Sequence, residues 1–131
     1  MINDLFVRYT TALDAGDVET IVGCFAEDGA LESPAVGVYA GRQGIREFAE
    51  RFARFRQQGS QLRHFISNLA VQVDGDAARA TCYLLNVITR NGKTELMPPG
   101  RYDCRLAKVA GEWLFKYRLV VLDGEVKLDG I

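Results

Sequence analysis

Apolar side chains recur at helical spacing from the start of the chain. Ile2, Leu5, Phe6, Tyr9 and Leu13 fall at i, i+3, i+4, i+7 and i+11, which predicts an amphipathic helix that stops at Gly16. Asp17 is placed to cap a short second helix whose apolar side carries Val18, Ile21, Val22 and Phe25. Asp28-Gly29 reads as a turn, and residues 30–33 and 37–40 read as short strands on either side of Pro34. A third helix is predicted over 42–57, with Ile45, Phe48, Ala49, Phe52 and Phe55 on its buried face. Its other face is arginine-rich, but Glu47–Arg51 and Glu50–Arg54 sit at the i,i+4 spacing of helix ion pairs. That reads as a solvated face, with an anion or partner surface as the alternative.

Beyond residue 60 the period falls to two. Strands are predicted over 62–73, 77–90, 93–109 and 112–122, separated by turns at Asp74-Gly75-Asp76, Asn91-Gly92 and Gly111. Asn-Gly is a strong hairpin signal because both residues accept positive φ. Pro98-Pro99-Gly100 should break the third of these strands. In the first, Leu62, His64, Ile66 and Asn68 share a face, yet Leu69, Val71 and Val73 carry the apolar pattern afterwards; this change of phase predicts a β-bulge. The order of elements predicts an α+β fold, helices packed on one face of a strongly bent antiparallel sheet. The second and last of these strands are apolar on both faces, and helices can cover only one. A homodimer packed through the open sheet face is therefore expected.

The 131 residues suit a single domain, 1–131. With 48% apolar and 25% charged residues and three prolines, disordered, collagen-like and coiled-coil chains are excluded as classes. The 16 basic and 17 acidic side chains leave a net charge of -1, without the positive excess of a phosphate-tracking nucleic-acid binder. No apolar run approaches the roughly 18 residues of a membrane span, and the first residues lack a basic leader pattern. A soluble, cytoplasmic chain with no nucleic-acid or membrane partner is expected. The residues 123–131 have little apolar content. Cys24, Cys82 and Cys104 are too scattered for a disulfide framework or a thiolate zinc site, and read as small core residues. With one histidine and no metal-spaced carboxylates, the sequence requests no metal and no cofactor.

His64 is the obvious side chain for proton transfer in an apolar place. Asp14 follows Tyr9 by five residues, about 140° around a regular helix, so the two share a cavity only if the helix ends or frays near Leu13. A carboxylate at a helix C-terminus opposes the macrodipole and needs a compensating partner. His64 would serve; a solvent-facing aspartate in a helix-ending turn is the plain alternative.

Several segments together resemble the SnoaL-like branch of the nuclear-transport-factor-2-like superfamily. They are Tyr9-Thr-Thr-Ala-Leu-Asp14-Ala-Gly-Asp17, Phe25-Ala-Glu-Asp28, Gly41-Arg-Gln-Gly-Ile45, Arg63-His64-Phe-Ile-Ser-Asn68, Val73-Asp-Gly-Asp76, Gly100-Arg-Tyr102 and Gly111-Glu-Trp113 leading to Arg118. The resemblance implies a cone-shaped α+β barrel with a deep apolar pocket, usually dimeric, in a superfamily of enzymes, binding modules and accessory subunits. Members similar to scytalone dehydratase, bile-acid dehydratase and lindane dehydrochlorinase use an Asp–His pair matching Asp14 and His64. Tyr9 matches a pocket tyrosine of the dehydratases, and Arg118 an arginine of the dehydrochlorinase-like pattern. Scytalone dehydratase has a second pocket histidine that this chain lacks. Strict alternation also puts Arg118 opposite Trp113, Phe115 and Tyr117, so a pocket role for it needs a bulge or twist.

The resulting expectation is a cofactor-independent lyase or isomerase acting on a small apolar cyclic substrate. His64 would take a carbon-bound proton, Asp14 would fix its tautomer, Tyr9 would donate a hydrogen bond and Arg118 would stabilise the anion. Phe6, Phe25, Phe48, Phe52, Ile66, Asn68, Leu84 and Trp113 are the expected substrate-binding residues. A non-catalytic binding module, and an epoxide hydrolase or cyclase using Glu32 or Asp103, are the alternatives.

Overall fold

The computed structural model describes residues 1–125. The expected helical stripe forms α1 (Ile2–Ala15), whose buried face carries Ile2, Leu5, Phe6, Tyr9 and Leu13. Gly16 ends it at φ 71, a left-handed cap that only glycine takes without strain. Asp17 then caps α2 (Val18–Gly23): its carboxylate accepts the Thr20 N–H at 3.2 Å and the Thr20 hydroxyl at 2.7 Å. Next come β1 (Phe25–Ser33), β2 (Gly37–Ala40) and α3 (Gly41–Gln57). The long strands β3 (Gln61–Asp74) and β4 (Ala77–Arg90) follow, then β5 (Lys93–Leu96), β6 (Gly100–Val109) and β7 (Glu112–Leu122). The Pro98-Pro99 break is where β5 and β6 separate.

The strands form one mixed sheet, ordered β2-β1-β7-β6-β4-β3, with β5 on β4. It does not close; β1 runs parallel to β7 and the other pairings are antiparallel. The helices lie against its concave face, and the core fills the space between. This is the α+β cone expected from the sequence.

One local expectation fails. Asp28-Gly29 does not turn the chain but lies inside β1, which begins at Phe25; Phe25 accordingly belongs to the sheet and not to α2. The β1–β7 register slips between Phe25 and Ala30, and Gly29 sits at that irregularity. A Cβ there would meet the carbonyl oxygens of Ala26 and Phe115 at 2.9 Å, so glycine serves close backbone approach. On β7, Arg105 pairs with Tyr117 and Leu106 with Phe115, which makes Lys116 an extra residue. Lys116 faces solvent and pairs with Asp28 across the two irregular segments. The expected bulge in β3 is present between Ser67 and Ala70, with Asn68 at φ 57.

Candidate active site

The β7 bulge decides what faces the interior. Because Lys116 is extra, Phe115 and Arg118 both point inward although they are three positions apart, and both are fully buried. Arg118 therefore reaches the concave face, against strict alternation. Its guanidinium carbon lies 4.0 Å from the ring centroids of both Tyr9 and Tyr102 and 4.5 Å from that of Phe115. Ring quadrupoles stabilise the buried cation. Its Nη1 approaches the Cys104 sulfur at 3.8 Å, and no carboxylate among the described residues pairs with it.

Asp14 and His64 meet, though not by helix fraying. Helix α1 stays regular through Ala15, and Asp14 projects sideways onto β3. One carboxylate oxygen lies 2.5 Å from His64 Nδ1, and the other accepts the His64 backbone N–H at 3.1 Å. Gln61 ties the same junction by donating to the Asp14 backbone carbonyl at 3.0 Å. The imidazole compensates a carboxylate that the helix dipole alone disfavours. Both side chains are withdrawn from solvent, His64 to 3% and Asp14 to 13% exposure. Asp14 occupies Nδ1, which turns Nε2 away from it; His64 lines the cavity and Asp14 stands behind it.

The cavity lies between the concave sheet face and helices α1 and α3, and measures about 50 Å³. Tyr9 and Leu13 come from α1, Phe48 and Phe52 from α3, and His64, Leu84, Asn86, Tyr102 and Arg118 from the sheet. Burial pushes the Tyr9 phenol well above its ordinary range, opposed in part by the neighbouring Arg118 charge, so it stays protonated as a hydrogen-bond donor. Burial likewise raises the Cys104 thiol to about 11, and all three cysteines are free and buried.

Of the expected substrate-binding residues, Phe48, Phe52 and Leu84 line this cavity. Phe6 and Phe25 do not: they pack behind it, edge-on or tilted against Phe115. Ile66 borders an outer groove with Phe65 and Tyr83. Trp113 is half-buried at the edge of the core under Lys108. Asn68 is exposed on the β3 bulge, since a residue at the crest of a bulge leaves the sheet face its neighbours share. Glu32 and Asp103, the alternative carboxylates, are outside the cavity lining; Glu32 accepts from the Tyr117 hydroxyl at 3.4 Å, and Asp103 pairs with Arg79 at 2.8 Å. Tyr102 and Asn86 line the cavity without having been expected. Tyr102 was legible in the alternation Gly100, Tyr102, Cys104, Leu106; Asn86 sits in a strand apolar on both faces, where no pattern singles it out.

The fold is an α+β cone with a cavity between sheet and helices, and His64 stands in the cavity wall. The chain belongs to the SnoaL-like domain family, whose model matches residues 1–119. No curated protein matches it. It is similar to the solved structure of a variant of Rv3472, a Mycobacterium tuberculosis protein of unknown function: 32% identity over 95% of this chain and 71% of that one, TM-score 0.83. ActVI-ORFA from Streptomyces coelicolor is 27% identical over 93% of this chain and 94% of its own, with TM-score 0.81. A candidate scytalone dehydratase from Novosphingobium aromaticivorans shares the fold at 22% identity, over 94% of this chain and 82% of its own, TM-score 0.82.

Proposed function

We propose that the protein is a cofactor-independent lyase or isomerase that moves a proton on a small apolar cyclic substrate. The observation that carries this reading is the Asp14–His64 contact: Nδ1 held at 2.5 Å by a carboxylate, on a ring that forms part of a cavity wall. Asp14 fixes the tautomer in which Nδ1 carries the hydrogen, so Nε2 offers a lone pair to the cavity. Nε2 takes a proton from carbon adjacent to a carbonyl; the electron pair moves onto the carbonyl oxygen. Arg118, charged and out of water, stabilises that oxyanion, and the Tyr9 hydroxyl donates to it. In an isomerisation the proton returns to a different carbon. In an elimination it leaves with the departing hydroxyl as water. Asp14 acts through His64 and is a positioning residue.

The scytalone dehydratase assignment of one fold neighbour agrees with the elimination branch but comes from a likeness of fold. The epoxide hydrolase alternative has less support, since Glu32 and Asp103 lie outside the cavity. A homodimer is part of the proposal. Phe65 and Tyr83 are 57% and 59% exposed on the convex sheet face, opposite the helices, where a second sheet would cover them. No helix among the described residues is long and apolar enough to cross a membrane.

Solvent deuterium incorporation into phenylacetone, a single-ring ketone with acidic C–H bonds, tests the proton transfer. The wild type should accelerate exchange, and His64→Ala should lose about 10²–10⁴ of that rate, the usual range for a general base. Binding without exchange would instead favour a non-catalytic pocket module.

A further inference from the structure

Among the described residues, two buried side-chain polar atoms have no hydrogen-bond partner, Asn86 Oδ1 and Arg118 Nε. Both residues line the cavity that holds His64. An unpaired buried polar atom costs stability, and the fold gains nothing from either. Two in one cavity, one on an amide and one on a cation, describe a polarity that a bound molecule would match.

The positions are fixed by the sheet. Asn86 is the cross-strand partner of His64 in the β3–β4 ladder, so the amide and the imidazole share a wall. The Asn86 backbone carbonyl accepts the Met97 N–H at 3.0 Å, which anchors β4 at the point where the chain leaves β5. Arg118 sits on β7, across β6 from that wall, wedged between Tyr9 and Tyr102. A hydroxyl satisfies Asn86 whichever end of the amide faces in, because it both donates and accepts. Arg118 only donates, and its charge favours a carbonyl or an enolate oxygen. Leu13, Phe48, Phe52, Leu84 and Val120 give the lining an apolar surround, and its other polar groups are the Tyr9 and Tyr102 hydroxyls and Ser33, whose hydroxyl accepts the Ala35 N–H at 3.2 Å. At about 50 Å³ the cavity has room for a few waters, so a ligand must part its walls, and a single ring asks least of them.

We propose that Asn86 is a specificity-determining residue, and that the substrate is a single-ring hydroxy-ketone whose hydroxyl meets Asn86 while its carbonyl oxygen meets Arg118. This rests on the proton-transfer reading for the carbonyl end, since the carbonyl beside Arg118 is the one whose neighbouring carbon would lose a proton to His64. Asn86 holds the ring so that this carbon faces Nε2.

Calorimetric binding of 3′-hydroxyacetophenone, 4′-hydroxyacetophenone and acetophenone tests it, on wild type, Asn86→Leu and His64→Gln. The wild type should bind one hydroxylated isomer at least about tenfold more tightly than acetophenone, the worth of one well-placed hydrogen bond in a dry site. Asn86→Leu should lose that preference and bind acetophenone at least as well. Its unliganded melting temperature should equal or exceed that of the wild type, because no unpaired amide remains. His64→Gln should keep the hydroxyl preference while losing proton exchange; a wild type that shows the preference but exchanges no protons rejects only the catalytic reading. No binding of any probe, no preference in the wild type, or a preference kept by Asn86→Leu would overturn the proposal. A well-folded Asn86→Leu with a lowered melting temperature would also overturn it, by assigning the amide to the fold.

Discussion

Under the proposed function, Arg118 gives up stability for the site and the Tyr9 hydroxyl gives up little. A buried cation without a carboxylate is costly, and stacking on Tyr9, Tyr102 and Phe115 returns only part of that cost. Arg118→Met keeps the apolar stem and removes the charge, so it should raise stability in urea while abolishing exchange activity. A loss of stability would make the guanidinium structural. Tyr9→Phe keeps the ring contacts with Phe25 and Phe115, and should change stability by less than about 1 kcal/mol if its hydroxyl serves the substrate. A larger loss would assign the hydroxyl to the fold. Burial also gives an alkaline limit. Cys104 is raised from 9.0 to about 11, and Tyr9 and Tyr102 are raised above 10.0. The unfolded chain ionises these groups first, so the Cys104 contribution is intact below about pH 9 and lost as pH rises through about 11, while that of the two tyrosines starts to fall only above about pH 10. Urea midpoints at pH 7, 9 and 10.5 should be level between the first two and fall at the third. A midpoint level at all three would contradict the burial of these groups.

At the scale of elements, the site depends on two irregular strands held against each other. Gly29 in β1 and the Lys116 bulge in β7 lie side by side, and together they turn Arg118 inward. Gly29→Ala sets a methyl 2.9 Å from two carbonyl oxygens and should cost about 1–3 kcal/mol. Gly100→Ala drives a methyl onto the Val121 carbonyl oxygen, closer still, so it should cost more. Denaturation midpoints in the reverse order would mean that β6 and β7 part more easily than the packing suggests. The helices, the β3 bulge and the Asn91-Gly92 hairpin were legible in the sequence because their signals are local: an apolar stripe, a change of phase, positive φ at 51° and 76°. The β1 irregularity was not. Asp-Gly has the local chemistry of a turn, and only the parallel pairing with β7, far along the chain, keeps it in a strand. The same distance hid the β7 bulge, whose extra residue appears only in the register against β6.

For the whole molecule, the concave face holds the cavity and the Asp14–His64 pair, and the convex face carries the exposed Phe65 and Tyr83. Asp14 and His64 lie 50 residues apart, so no spacing links them; the helix-end carboxylate asks for a partner, and the family resemblance points to His64. The cavity lining was legible only in part, because an aromatic in an apolar stripe can equally pack behind a pocket, as Phe6 and Phe25 do. The homodimer is testable without a ligand. Leu85 faces Phe65 across the β3–β4 ladder on the convex side, so Leu85→Lys sets charge in the proposed interface. Light scattering at micromolar concentration should show a dimer for the wild type and a smaller species for the variant. A wild type that is monomeric throughout would contradict the proposal.

The central claim is that Asp14 fixes His64 in the tautomer that leaves Nε2 basic. Asp14 accepts from two donors, the His64 backbone N–H and Nδ1–H. Asparagine has one oxygen for the two, so Asp14→Asn should leave its NH₂ facing Nδ1 and shift the hydrogen to Nε2. The chain has a single histidine, so its two ring nitrogens give unambiguous signals. In ¹⁵N NMR of the neutral ring, the wild type should show a protonated Nδ1 and a bare Nε2, and Asp14→Asn the reverse. Identical ring spectra in the two proteins would contradict the pairing and the catalytic role built on it.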